Sequence, residues 1–306
     1  MAQNSKIAII ILNYNSADCT LRCVESIYRH TADLSHVALI VVDNNSAAAD
    51  RQQLTSLSSE HITLIYSDRN LGFSAGMMLG ARSVEAEYYF FLNNDCELQN
   101  DALPILHGFM QANLKAGLCS GSMADSKGQS RSSFNYFPSL TLTLFGSGLL
   151  RFFCPSRYPD RRKPCSQPIQ VDVVTGAAMF VRGTALKELH GLDTGFFLYC
   201  EEEDFALRTK KAGWKTYFVP QAEIMHIGGA SSADARLRPA LQREYYISFF
   251  RYLRLHHGRI YAFAFRLVIA LKVLRRALAG KAAFGLVRFI VRGAPEKDSL
   301  RYKQVV

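Results

Sequence analysis

"FFLNNDCEL", residues 90–98, decides the fold: an aromatic and aliphatic run that reads as a buried strand stops abruptly on two amides and one carboxylate. Working outward, three more apolar runs end in the same way. "IAIIIL" (7–12) gives way to "NYNS", "VALIVV" (37–42) to "DNNS", and "ITLIYS" (62–67) to "DRNLGFSAG", while "YYFFLN" (88–93) leads into "NDCE". Near-continuous apolar strands separated by helix-length segments predict an α/β architecture with a mainly parallel, Rossmann-like sheet flanked by helices on both faces. Ligands in such sheets bind outside the carboxyl ends of the strands, so four polar strand ends in succession describe one rim of one site.

The 306 residues are 49% apolar, enough for one large core or two ordinary ones. Seven cysteines occur without a CxxC pair, which speaks against a disulfide framework or a four-thiolate zinc site and for a reducing, cytoplasmic setting. The opening "MAQNSKIAIIILNYN" has too short an apolar run and too weakly basic a start for a signal peptide, and reads as a first buried strand.

The formal charge of +10 is concentrated at one end. From Arg236 to Val306 there are sixteen Lys or Arg against three acids, a net of +13, so residues 1–235 carry −3. The division suggests a catalytic domain over 1–235 and a basic, amphipathic helical region over 236–306. In "RIYAFAFRLVIALKVLRRALAGKAAFGLVRFIVRG" basic residues recur every few positions, so no spanning helix is expected. Two readings stand: helices lying in the interface of an anionic membrane, or helices packed on the catalytic domain with solvated basic edges. No nucleic-acid-binding motif accompanies the charge, and no nucleic-acid partner is expected.

The usual nucleotide fingerprints are missing, with no GxGxxG after the first strand and no GxxxxGK[ST]. In "NLGFSAGMMLG", Gly72, Gly76 and Gly80 recur every four residues, a spacing that aligns small residues for helix-on-sheet packing. Further on, "VDVVTGAAMFVRG" (171–183) reads as a strand broken at Gly176, a position suited to close approach of the backbone to a ligand. "GLDTGFFLYCEEEDFALRTKKAGW" then passes from an aromatic run into four acids at the start of a helix whose basic end is Arg208 to Lys211. One or two acids there answer the helix dipole. Four in a row after an apolar run raise the pKa of at least one, as a general base requires. "FVPQAEIMHIGGASS" places His226 at the end of a short strand. Asp95 supplies only one carboxylate, and with His226 and a diphosphate it would complete a divalent-cation site, the imidazole tilting preference from Mg²⁺ towards Mn²⁺.

Together NYN (13–15), VDNNS (42–46), NLGFSAG (70–76), LNND (92–95), TGAAM (175–179), DTGFFLYCEEEDFALR (193–208) and HIGGAS (226–231) resemble glycosyltransferase family 2, the inverting GT-A type, over about residues 6–235. Within it the chain is similar to bacterial rhamnosyltransferases of polysaccharide and O-antigen assembly. The resemblance implies a nucleotide-sugar donor pocket (dTDP- or UDP-sugar, dTDP-rhamnose among them) formed by Asn13, Asn15, Asp43 and Asn70. Asn94 belongs to the position of the family's DXD motif. It also implies metal ligation (Mg²⁺ or Mn²⁺) by Asp95 and His226, and base catalysis by Glu202 or Glu201 with Asp204 beside them. Glutamate stands where the family has aspartate at the base position, and Glu203 where an apolar residue is common. The implied acceptor is a hydroxyl of a lipid-linked or polysaccharide glycan, and the implied place the cytoplasmic face of the membrane. An inactive nucleotide-sugar or glycan-binding module is the alternative, since the DXD position has Asn93 for its first acid. The Phe- and Pro-rich stretch 134–170 reads either as an acceptor-side loop or lid or as a surface insertion.

Overall fold

A computed structural model describes residues 5–57, 61–161, 163, 165–228 and 236–303. The glycine, alanine and serine at 229–231 of the HIGGAS stretch, and the expected domain boundary at 235/236, lie outside the described residues. The strands are β1 (Ser5–Asn13), β2 (Val37–Asp43), β3 (Ile62–Tyr66), β4 (Ala86–Asn93), β5 (Cys96–Leu98), β6 (Ala116–Ala124), β7 (Ser130–Arg131), β8 (Phe134–Asn135), β9 (Ile169–Val171), β10 (Val173–Val174), β11 (Ala178–Arg182) and β12 (Lys215–His226). The helices are α1 (Ala17–His30), α2 (Ala48–Leu54), α3 (Phe73–Ala81), α4 (Ala102–Ala112), α5 (Leu140–Phe153), α6 (Gly183–Glu188), α7 (Glu201–Lys211), α8 (Arg238–Leu278) and α9 (Phe284–Val291).

All four apolar runs are strands, and they form the parallel half of the main sheet in the order β3-β2-β1-β4. Beyond β4 the sheet is mixed. β11 runs antiparallel to both β4 and β6, while β12 is parallel to β6 and antiparallel to β5. The reversal of β11 has a consequence for the site. Its start, at the Thr175–Ala177 turn, comes to the carboxyl end of β4, where the Asn93 N–H donates to the Ala177 carbonyl at 2.8 Å.

Both faces of β1 are buried because its side chains alternate between two cores. Ile7, Ile9 and Ile11 pack with α1 and α4, whereas Ala8 and Ile10 pack with α3 and α7. Gly76 and Gly80 let α3 lie directly on the strands, since a Cβ there would come within 2.5 Å of Leu12 and 2.6 Å of Ile10. A third core joins the C-terminal region to the rest. Phe196 and Cys200, just before α7, are buried with Phe249, Phe250, Tyr252 and Phe265 of α8 and Phe289 of α9. The C-terminal helices therefore pack against the segment that leads into α7. Among the described residues no helix is long and apolar enough to cross a membrane.

Candidate active site

Asp95 sits in the turn between β4 and β5, and β12 returns beside it. His226 pairs in register with Cys96, and the Ile227 N–H donates to the Asp95 carbonyl at 3.0 Å. That register sets His226 Nε2 3.2 Å from Asp95 Oδ1. With Cys96 they offer ligand atoms all within 4.8 Å of one another, the one such grouping among the described residues. A carboxylate oxygen and an imidazole nitrogen at this spacing fit a divalent cation that completes its shell with phosphate oxygens. Cys96 fits less well: its buried thiol donates to the Ala177 carbonyl at 3.5 Å, and burial, reinforced by Asp95, pushes its pKa well up. Asn94 is a brace, its Nδ2 donating to Ser16 Oγ at 2.7 Å and Thr20 Oγ1 at 2.9 Å, which ties the end of β4 to the start of α1.

The donor-side residues divide into a wall and its support. Asp43 is buried, and its oxygens accept from Asn13 Nδ2 (3.2 Å), the Ser46 N–H (3.2 Å) and Arg51 Nε (2.6 Å). Asn13 also donates to Asp50 at 2.7 Å, and Asn15, with φ of +50°, accepts from the Ala47 N–H at 2.8 Å. These three side chains knit the ends of β1 and β2 together. Asn70 reaches the wall itself, accepting from Asn44 Nδ2 (3.0 Å) and the Gly72 N–H (2.9 Å). Gly72 is required there: its φ is +79°, and a Cβ would fall 2.3 Å from the Phe197 carbonyl oxygen.

A cavity of about 310 Å³ opens where these parts meet. Its polar side carries Asn44, Asn70, Asn94, Asp95 and His226, and its floor Phe73 and Phe197 to Tyr199. The far wall comes from the C-terminal region, through Leu237, Leu241, Leu300 and Lys303. Glu244 of α8, itself buried, latches that last segment by accepting from Ser299 Oγ (2.9 Å) and the Leu300 N–H (2.8 Å).

The acidic run opens α7 immediately after two residues held in the left-handed region, Tyr199 (φ +72°) and Cys200 (φ +65°). Such backbone costs of order 1–3 kcal/mol per residue and persists where surrounding packing over-determines it. Here it turns the first helical turn inward. Burial pushes the pKa of Glu201 and Glu203 well above the ordinary glutamate value, and the charge of Glu202 adds to both shifts. Burial raises Glu202 too, but hydrogen bonds from its backbone amide and from the Glu203 carboxyl pull it back. Glu202 is thus the member of the three whose rise is partly offset by a neighbouring side chain. Its carboxylate lies against Gly176, where a Cβ would stand 3.3 Å from Cδ. The group that Gly176 approaches closely is thus this carboxylate, where the sequence suggests a ligand.

Asp204 has a different setting. Arg208 Nη2 and Nε lie 2.7 and 2.8 Å from its Oδ2, and His256 Nε2 lies 2.7 Å from Oδ1. Burial pushes its carboxyl up, but these partners outweigh burial and hold the pKa below the usual range. The structure thus brings Asn70, Asn94, Asp95 and His226 to one cavity. It sets Glu202 beside the Gly176 turn that is bonded to the end of β4, and places Asn13, Asn15, Asp43, Glu201 and Asp204 in supporting positions.

Sequence reasoning missed Asn44, Arg51, His256 and the C-terminal wall. Asn44 had a signal, being the amide next to Asp43 at a polar strand end. Arg51 and His256 had none, since each is an ordinary helical residue until the fold sets it against a buried aspartate.

Comparison with known proteins points to one family. The family profile described as glycosyl transferase family 2 matches residues 8–189, and that of glycosyl transferase family group 2 matches residues 165–294. Rhamnosyltransferase WbbL of Escherichia coli (strain K12) is 25% identical over 234 residues, covering 71% of this chain and 82% of that protein. An N-acetylglucosaminyl-diphospho-decaprenol L-rhamnosyltransferase of Mycobacterium tuberculosis is 36% identical over 67 residues, 22% of this chain and only 21% of that protein's length. Among solved structures, the mannosyltransferase PcManGT from Pyrobaculum calidifontis, in complex with GDP-Man and Mn²⁺, superposes with a TM-score of 0.57 at 13% identity, over 98% of this chain and 83% of the other.

Proposed function

The chain belongs to glycosyl transferase family 2 and has its GT-A type α/β fold, and from that premise we propose an inverting transfer of a sugar from a nucleotide-sugar donor to a hydroxyl of a lipid-linked or polysaccharide glycan. Rhamnose from dTDP-rhamnose is the donor reading supported by the similarity to two rhamnosyltransferases, one of them named for a diphospho-decaprenol substrate. The observation that carries the catalytic reading is the Glu202 carboxylate seated against the Gly176 turn, one hydrogen bond from the strand end that leads to Asp95.

In the proposed reaction Glu202 accepts the proton of the acceptor hydroxyl while that oxygen forms its bond to the anomeric carbon. The bond from that carbon to the diphosphate breaks, its electron pair leaves with the nucleoside diphosphate, and configuration inverts. Glu203 donates a hydrogen bond to Glu202 and holds it in one orientation, and Asp204, clamped by Arg208 and His256, anchors the helix that carries both. Asp95 and His226 would hold Mg²⁺ or Mn²⁺, which when bound supplies Lewis-acid stabilisation of the departing diphosphate. Asn44 and Asn70 line the nucleotide side, on a rim that Asp43, Asn13 and Asn15 keep rigid, and Lys303 brings a further positive charge to the cavity. The basic region 236–306 would keep the enzyme at the anionic inner surface of the cell membrane, where a lipid-linked acceptor is met.

Glu202→Gln is the test. It should abolish transfer, a loss of about 10²-fold or more, while donor binding measured by calorimetry persists. Full transfer by that variant would remove Glu202 as base, and loss of donor binding together with transfer would place it in the donor pocket instead.

A further inference from the structure

Helix α5, within the segment 134–170, is kinked at Gly146 (φ +74°), is rich in Leu and Phe, and has none of its residues buried. Leu144, Phe145, Leu149, Phe152 and Phe153 are all exposed, Phe152 by 80%. The helix is nevertheless placed. Ser139 caps it by accepting from the Leu142 N–H at 3.1 Å, the Leu140 N–H donates to the Tyr261 hydroxyl of α8 at 2.9 Å, and Lys272 of α8 donates to the Thr143 carbonyl.

The part of α8 that receives it has two apolar faces. Ala262, Phe265, Val273 and Ala277 face the core. Ile260, Phe263, Leu267, Leu271 and Leu278 recur at helical spacing on the other side and are exposed, Ile260 by 88%. Because Lys272 touches α5 next to Leu271, the two exposed faces adjoin. Ten large apolar side chains exposed on two adjoining faces mark a surface made to be covered.

Charge identifies the cover. From Arg259 to Pro295 the chain carries eight Lys or Arg and no acid, and α5 adds Arg151 with no acid. A second copy seated on this face would set like charge against like across a two-fold interface. An anionic lipid surface complements both the apolar stripe and its basic border. We infer that α5 and the exposed face of α8 form one composite surface that inserts into an anionic lipid monolayer, so that the insertion in the catalytic domain, and not the basic C-terminal region alone, docks the protein. The inference deepens the membrane placement proposed above and rests on it. It does not rest on the transfer reaction, because vesicle binding is measured without donor or acceptor.

The test is flotation of the purified full chain with vesicles of phosphatidylcholine alone or with about 30 mol% phosphatidylglycerol. The unaltered chain should bind the anionic vesicles, and more weakly as salt is raised. Phe152→Ser with Phe153→Ser should weaken that binding by about tenfold or more while leaving the melting temperature and nucleotide binding unchanged, because both side chains are solvent-facing. Ile260→Ser with Leu267→Ser should weaken it comparably. Binding undiminished by the α5 pair would overturn α5 as part of the surface. A concentration-dependent dimer in sedimentation equilibrium that the same substitutions abolish would overturn the lipid as occupant. Loss of vesicle binding with intact Glu202-dependent transfer, or the reverse, separates failure of this inference from failure of the enzymatic reading.

Discussion

Gly176→Ala is the sharpest probe of the base, because it changes no group that does chemistry. The added methyl would stand 3.3 Å from Glu202 Cδ and 3.5 Å from each carboxylate oxygen, so the carboxylate must give way by a few tenths of an ångström. A misplacement of about 1 Å at a reacting group costs about 10²-fold, so a shift of this size should lower kcat by about tenfold, or ~1.4 kcal/mol of activation free energy. The methyl also removes what water reaches the carboxylate, which raises its proton affinity further and moves the acid limb of the kcat profile to higher pH. Gly176 does not lie in the left-handed region, so alanine can follow its backbone. Reduced freedom of the unfolded chain should then leave the melting temperature unchanged or slightly raised. Steady-state transfer assays at several pH values, with donor KM and thermal melting alongside, check each part. An unaltered kcat and an unmoved acid limb would refute the placement of the base at Glu202, and a collapse in donor affinity would refute the separation of base and donor pocket.

Asp204→Asn should destabilise the protein by about 3–5 kcal/mol in urea unfolding, because it strips the charge from a buried carboxylate and leaves Arg208 and His256 without their partner. In the unaltered chain this carboxyl has a lowered pKa, so its contribution is fully present above the ordinary aspartate value of 3.8 and is lost as pH falls through the folded-state value. Glu203→Gln should act with the opposite sign. The folded-state pKa of Glu203 is raised, so stability tied to its proton is present below the ordinary value of 4.5 and lost as pH rises through the folded-state value; the glutamine variant, free of that loss, should gain in melting temperature over the parent as pH increases. Asp95→Ala should weaken Mn²⁺-dependent donor binding in calorimetry more than metal-free nucleotide binding, since it removes one of two candidate ligands.

Much of this protein could be read from order and spacing alone. Apolar strands that end in amides and acids specify a covered parallel sheet with a polar rim, because only a strand buried on both faces is apolar throughout and only its ends reach water. Four acids opening a helix after an aromatic run announce a strained electrostatic site for the same local reason. Those features lie within a few residues of one another, and their physics is local.

Tertiary structure decided what depends on distant partners. The pairing of His226 with Cys96 across 130 residues, not any motif, makes Asp95 and His226 neighbours. The antiparallel course of β11 carries Gly176 to the rim and sets Glu202 against it. Among four adjacent acids the sequence assigns no order of ionisation. Burial pushes the carboxyls of Glu201 and Glu203 well up, hydrogen bonds offset part of the rise at Glu202, and Arg208 and His256 hold Asp204 down, because a carboxyl's pKa is set by the water, charges and donors around it and those come from all parts of the chain.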